Sequence, residues 1–210
     1  VPVTAYAKSK MESEHGLKEL ADENFSPIFL RNATAYGLSP AMRFDLVVNN
    51  LVGSALTTGK VVLKSDGSPW RPLVHVEDIG RAVIAVIEAS RESVHCEAFN
   101  IGRDDQNFQV SEIAELVKTG VPGCEVEFVR GAGPDKRSYR VSFKKVTQKL
   151  PRFLPVWTLA DGIQQMATFF AENDITEEEF LGRRYVRLEQ LKYLIRSSEV
   201  DKSLYWTGKV

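Results

Sequence analysis

The 210-residue chain has little cysteine, little histidine and no excess of charge, and each shortage removes a class of function. Its two cysteines, Cys96 and Cys124, fit no metal or redox spacing. They read as small buried thiols in a reducing compartment, so a cytoplasmic protein is expected. His15, His75 and His95 stand at no metal-ligand spacing, and no metal site is expected. Basic residues number 27 and acidic residues 28, which leaves no field for nucleic acid and no acidic tail. No apolar run approaches the ~18 residues needed to span a bilayer, and no membrane partner is expected. There are no internal repeats or low-complexity tracts. The first residues, Val1-Pro2-Val3-Thr4, lack an initiator methionine and the regions of a signal peptide. The expectation is a chain that begins inside a larger unit.

What is present is ordinary globular composition, 43% hydrophobic and 26% charged, enough for one domain or one and a half. Residues 4–23 run without proline through Ala, Lys, Glu, Met and Leu, which predicts a helix. Residues 27–31 form a short apolar run between breakers, which predicts a buried strand, and 35–40 read as a loop. In 44–58, Phe44, Val47, Val48, Leu51, Ala55 and Leu56 share a helical stripe, with Gly59 at the C′ position. Strands are predicted at 61–63, 73–76, 98–102 and 126–129. A helix opens at Glu77-Asp78 with acids at its positive end, and its apolar face is read as Ile79, Val83, Ile84, Val86 and Ile87. Ser111 is taken as the cap of a helix to about Thr119. Residues 143–150 and 158–172 read as helices separated by Pro151 and Pro155. The tail carries Glu177-Glu178-Glu179, read as a solvated face, and then an amphipathic helix with Tyr185, Leu188, Leu191, Leu194 and Ile195. Strands interleaved with helices make the class α/β.

The chemistry-bearing stretch is Tyr6-Ala7-Lys8-Ser9-Lys10. On a helix, residues four apart share a face. An ammonium beside a phenol favours the phenolate, and a phenol tuned this way can take a proton from an alcohol near neutral pH. Tyr6 is therefore a candidate general base and Lys10 its electrostatic partner. Chance alone supplies roughly 0.4 such pairs in a chain of this composition, and Tyr205 with Lys209 forms a second, so neighbours must decide.

The neighbours occur in a telling order. After Tyr6 and Lys10 come Arg31-Asn32-Ala33-Thr34-Ala35-Tyr36-Gly37, Asp66-Gly67 ahead of Arg71, His75-Val76-Glu77-Asp78, Phe99-Asn100-Ile101-Gly102, Asp135 with Arg137 and Tyr139, and Leu159-Ala160-Asp161-Gly162-Ile163. Over roughly residues 1–172 this order resembles the C-terminal half of the extended short-chain dehydrogenase/reductases, the NAD-dependent sugar-nucleotide epimerases and dehydratases above all. Arg43-Phe44-Asp45-Leu46-Val47-Val48-Asn49 also looks like one subgroup of them. The resemblance implies an α/β fold made of the C-terminal part of a Rossmann-like parallel sheet plus a small α/β substrate-binding domain. Residues 1–172 would interleave the two, and 173–210 would be a C-terminal helical extension.

The resemblance also assigns roles. Tyr6 and Lys10 would be catalytic, with the tyrosine taking a proton from a sugar hydroxyl while hydride passes to NAD or NADP. Both would touch the cofactor, as would the backbone at Asn32 and Ala33. Thr34, Arg71, Asn100 and Asp135 would contact a nucleotide sugar. Thr34 stands where the family often has Asn, and Ala132 where it often has Arg. A guanidinium fork at Arg71 suits a diphosphate. Against these stand plainer readings: Arg71 as solvated surface, Asp135 as a loop acid, and His75 as a hydrogen-bonded strand histidine rather than a catalyst.

No G-x-x-G-x-x-G or G-x-G-x-x-G turn opens a βαβ unit in this sequence. Tight NAD binding by this chain alone is therefore not expected, and activity in isolation is doubtful. Three functions compete: part of an epimerase or dehydratase, a non-catalytic nucleotide-sugar-binding module, and a self-associating protein. Parallel strands near 27–31 and 98–102 should be buried on both faces. With an open edge they call for a homo-oligomer or a complementing N-terminal half.

Overall fold

The computed structural model describes residues 4–63, 65–129 and 138–208. Helix α1 (Ala5–Glu19) leads into β1 (Phe29–Asn32) and β2 (Thr34–Tyr36), followed by α2 (Val47–Thr58), β3 (Lys60–Leu63) and β4 (Trp70–His75). Next come α3 (Val76–Ile87), α4 (Arg91–Val94), β5 (Ala98–Ile101), β6 (Asn107–Gln109), α5 (Val110–Gly120) and β7 (Glu125–Phe128). The chain continues through α6 (Lys144–Lys149), α7 (Leu159–Asn173), α8 (Glu177–Leu181) and α9 (Arg187–Arg196).

Among the described residues the strands form three small groups. β1 pairs parallel with β5 (Arg31 opposite Asn100), β2 parallel with β4 (Thr34 opposite Leu73), and β3 parallel with β7. β6 runs antiparallel on the other side of β4, with Arg71 opposite Phe108. The α/β class with parallel pairing is as expected.

Local chemistry explains most helix ends. Gly59, in the left-handed region at φ 71°, closes α2 by donating its N–H to Ala55 O. Thr158 and Asp161 exchange side-chain and backbone hydrogen bonds as a capping box that starts α7. The cap of α5 is Gln109 rather than Ser111, because Gln109 and Glu112 make the reciprocal box two residues earlier.

The apolar residues gather in two cores. One is built from Phe44, Leu51 and Val52 with Ile113, Val117, Ile163, Met166 and Phe170. Phe180 and Tyr185 belong to it too, their rings 5.1 and 4.6 Å from that of Phe44. The other joins Val74, Ala82, Val86, Phe99 and Ile101 to Phe143, Val146, Leu150 and Phe153.

Several expectations are corrected. The strand expected buried at 27–31 is β1, half-buried at Phe29 and Leu30 and exposed at Arg31 and Asn32, since among the described residues only β5 flanks it. The expected loop at 35–40 begins as strand β2, whose backbone pairs with β4. In α3 only Ile79 and Val86 of the expected face turn inward; Val83, Ile84 and Ile87 are exposed, and Ala82 and Ala85 take the inner side. No residue of α9 is buried, and its Leu188 and Ile195 are exposed.

Candidate active site

Helix α1 begins at Thr4, whose Oγ1 accepts the Ala7 N–H at 3.1 Å. It contains no buried residue. Tyr6 and Lys10 share a face as the spacing requires, with Lys10 Nζ 5.8 Å from the centroid of the Tyr6 ring. Tyr6 is 72% exposed. The phenol also lies within electrostatic range of the Arg43 guanidinium. Arg43 is itself held by Asp45 through Nε–Oδ1 at 2.9 Å and Nη2–Oδ2 at 2.6 Å.

One contact ties α1 to the strands. Arg31 grips Glu14 with a two-pronged pair, Nε–Oε2 at 2.9 Å and Nη2–Oε1 at 2.5 Å. The hydrogen bond from Arg31 holds the Glu14 carboxyl below the usual range and raises the guanidinium. The next residue is Asn32, exposed at the end of β1, and Ala33 N donates to Ile101 O at 3.0 Å. Asn100, half-buried on β5, donates from Nδ2 to Ser142 O at 3.3 Å. The chain then steps from β1 into β2 at Thr34, and Arg71 lies on β4 two residues before the partner of Thr34. Arg71 is half-buried and donates from Nη1 to Trp70 O at 2.8 Å. Strand pairing thus sets Asn32 opposite Ile101, next to Asn100, and Thr34 opposite Leu73 on the strand that carries Arg71. Asp135 lies outside the described residues.

His75 behaves as a structural histidine. Burial holds its imidazole below the usual range. Nδ1 accepts the Glu77 N–H at 3.3 Å and caps α3, Nε2 meets Gln165 Oε1 at 3.0 Å, and the ring stacks on Trp157 at 3.9 Å. Gly37 and Gly162 give it room: a Cβ on Gly37 would lie 2.2 Å from His75 Nε2, and one on Gly162 2.4 Å from Tyr36 Cε2. Beside it, Asp78 is a buried carboxylate that accepts the backbone N–H groups of Val156 and Trp157, each at 3.1 Å, and Arg81 Nη1 at 3.0 Å.

The sequence reading missed Asp78 as an organiser. Its acid was seen only as a complement to the helix dipole, because its partners lie almost eighty residues downstream. An open groove of about 440 Å³ is lined by Asp104, Asn107, Arg140, Val141, Ser142 and Lys144. Its Asp104 and Asn107 are engaged in holding the segment beyond: Asp104 Oδ1 accepts Phe143 N, and Asn107 bonds both the N–H and the carbonyl of Val141. Arg140 lies over the Trp70 ring, 4.6 Å from its centroid.

Solved structures share this fold. UDP-glucose 4-epimerase from Thermotoga maritima, with UDP-glucose, is similar at 25% identity and TM-score 0.71 over 83% of this chain and 56% of its own. UDP-glucuronic acid 4-epimerase from Bacillus cereus, with UDP-glucuronic acid and NAD, matches at 19% identity and TM-score 0.69 over 82% and 54%. A dTDP-glucose 4,6-dehydratase from Streptomyces venezuelae, with NAD, matches at 22% and TM-score 0.68 over 82% and 52%. The chain thus spans about half the length of the structures it matches. Those structures are Rossmann-like, and the parallel pairing of β1 with β5 and of β2 with β4 agrees with that fold class. The sequence model of the NAD dependent epimerase/dehydratase family matches residues 1–102, a stretch that holds Tyr6, Lys10, Arg71 and Asn100. Residues 1–102 are thus similar to the NAD dependent epimerase/dehydratase family.

Proposed function

We propose that the chain is the C-terminal portion of an NAD-dependent nucleotide-sugar epimerase or dehydratase. Lys10 stabilises the Tyr6 phenolate, which takes the proton of a sugar hydroxyl and becomes the neutral phenol. The observation that carries this reading is the shared face of Tyr6 and Lys10 at the start of the family-matched segment. NAD or NADP would supply hydride acceptance at the sugar carbon when bound. Residues that would reach it are Tyr6, Lys10, Asn32 and Ala33. Support for this comes from the pairing of β1 with β5, which ends at Asn32, and from the Arg31–Glu14 pair that holds α1 beside that strand. Thr34, Arg71 and Asn100 would contact the nucleotide sugar, with the Arg71 fork on its diphosphate, and Asp135 would accept from the nucleotide ribose.

The high exposure of Tyr6 and the absence of buried residues in α1 fit a site completed by a further surface. That surface would be a complementing N-terminal half or a second copy of the chain. Calorimetric titration with UDP-, dTDP- and GDP-sugars tests the substrate class. Heat with one nucleotide that disappears in Arg71→Ala supports it, and no heat with any of the three overturns it. Tight NAD binding by the 210-residue chain would overturn the requirement for a completing half. A second reading, a nucleotide-sugar-binding module without chemistry, is favoured by the same exposure of Tyr6. It predicts sugar-nucleotide binding that Tyr6→Phe leaves unchanged and no NADH formation when NAD is added.

A further inference from the structure

The starts of β1 and β5 hold a group that the chemistry proposed for Tyr6 does not use. Cys96 Sγ lies 3.7 Å from His95 Nε2, and His95 Nδ1 lies 2.9 Å from Ser26 Oγ. Ser26 stands three residues before β1, and Cys96 two residues before β5. Asn32 and Asn100 stand toward the other ends of the same strands. Each strand has four residues, which puts about 13 Å between the two ends.

The backbone holds this group together. Cys96 N donates to Pro27 O at 3.0 Å, which ties it to the residue after Ser26. His95 N donates to Arg91 O at 2.8 Å and closes the short helix α4. Cys96 has φ 55°, in the left-handed region that glycine enters without steric cost and cysteine does not. Ser26, His95 and Cys96 are all half-buried, so the thiol is sheltered yet within reach of a small molecule. The expectation of two buried thiols therefore holds only for Cys124, which sits in the first core, where burial pushes its thiol up.

A thiol attacks as its thiolate, so an activated one needs a base in contact and a third group that orients the base. The His95 tautomer with its proton on Nδ1, donated to Ser26 Oγ, leaves Nε2 bare toward the thiol. Charged groups around the cluster are Glu97, paired with Lys145, and Arg91, which donates to Asp22 O. Lys18 and Lys149 lie within electrostatic range of Glu97. Lys145 and Arg91 are directed at those partners, and His95 is the basic group in contact with the sulfur.

We propose that Cys96 is a reactive thiol that takes small hydroperoxides, with His95 as its base and Ser26 orienting the imidazole. Nε2 removes the thiol proton, and the sulfur attacks one oxygen of hydrogen peroxide. The S–O bond forms as the O–O bond breaks. The sulfur is oxidised by two electrons, and the leaving hydroxide takes the proton from Nε2 to become water. The product on Cys96 is a sulfenic acid.

Peptide mass spectrometry of the folded 210-residue chain tests it. One arm uses iodoacetamide; the other uses hydrogen peroxide followed by a 1,3-dione that traps sulfenic acid. At pH 7 Cys96 should be alkylated at least about 10-fold faster than in the urea-unfolded chain, since shielding alone can only slow it. His95→Asn should remove that gain. Ser26→Ala should lower it about 3-fold, and Ser26→Thr, which keeps the hydroxyl, should restore it. Dione labelling should follow the same order, with Cys124 unlabelled until the chain unfolds. Tyr6→Phe should leave every rate unchanged, so this proposal and the one for Tyr6 fail separately. Circular dichroism checks the fold of each variant, and the Ser26 pair decides if His95→Asn does not fold. A Cys96 no faster than in the unfolded chain overturns the proposal. So does a rate that His95→Asn leaves unchanged, the result for a merely exposed thiol. Fast alkylation without dione labelling overturns the assignment to hydroperoxides.

Discussion

Replacing Asp78 should loosen the strap at residues 152–157 and cost more stability than any surface charge. Its carboxylate is 2% exposed and accepts two backbone N–H groups and one guanidinium N–H. Hydrogen bonds to a charged acceptor contribute about 1.5–3 kcal/mol each, and an orphaned buried donor loses a comparable amount. Val156 is itself exposed, so water recovers part of the loss at its amide. The net cost of Asp78→Ala is then about 2–4 kcal/mol. Asp78→Asn keeps one acceptor oxygen for one amide and should cost about half as much. Arg81→Ala is the control: its guanidinium is half-exposed, and removing it should cost under about 1 kcal/mol. Urea unfolding at neutral pH, followed by circular dichroism and by the fluorescence of Trp157, measures all three. If Asp78→Ala and Arg81→Ala cost the same, the ion pair rather than the strap amides is what Asp78 provides, and the reasoning fails.

His75 makes stability depend on pH. Burial lowers its folded pKa, so the unfolded imidazole is protonated first as pH falls. Stability is therefore full above the unfolded value near ~6.5 and declines as pH drops from there toward the folded value. A proton on Nδ1 would also oppose the Glu77 N–H it now accepts. The urea midpoint should fall between about pH 7.5 and 5.5, above the range where carboxylates titrate, and His75→Asn should flatten that fall. Gly162→Ala would drive a Cβ into the Tyr36 ring and should cost about 1–3 kcal/mol by urea unfolding; a neutral result would mean that α7 can shift away. Phe180→Ala should cost about 3–5 kcal/mol if α8 is an integral part of the first core, and almost nothing if α8 is a loose appendage.

Much of the architecture was legible because local patterns and tertiary needs agreed. The stripe of α2, its closing Gly59, and the breaks at Pro151 and Pro155 are local signals that packing did not override. The Tyr6–Lys10 face follows from helical spacing alone. What could not be read depends on partners far along the chain. Arg31 and Glu14 find each other only once α1 folds back on β1, and Asp78 finds Val156 and Trp157 only when the strap arrives. For α3 the sequence named the apolar residues but could not say which would face the core, because the helix is apolar on both sides. Thr34 to Tyr36 became a strand through β4, a pairing that a turn-rich stretch does not announce.

The aromatic cluster around Phe44 has a consequence for biosynthesis. Phe180 and Tyr185, which cover the ring of Phe44, leave the ribosome well over a hundred residues after it. Until they emerge, one side of α2 near Phe44 and Gly53 stays wet, and the nascent chain carries an unfinished core. Contacts this distant in sequence form late and slowly. A nascent chain stalled before residue 180 should then bind chaperones that the released protein does not.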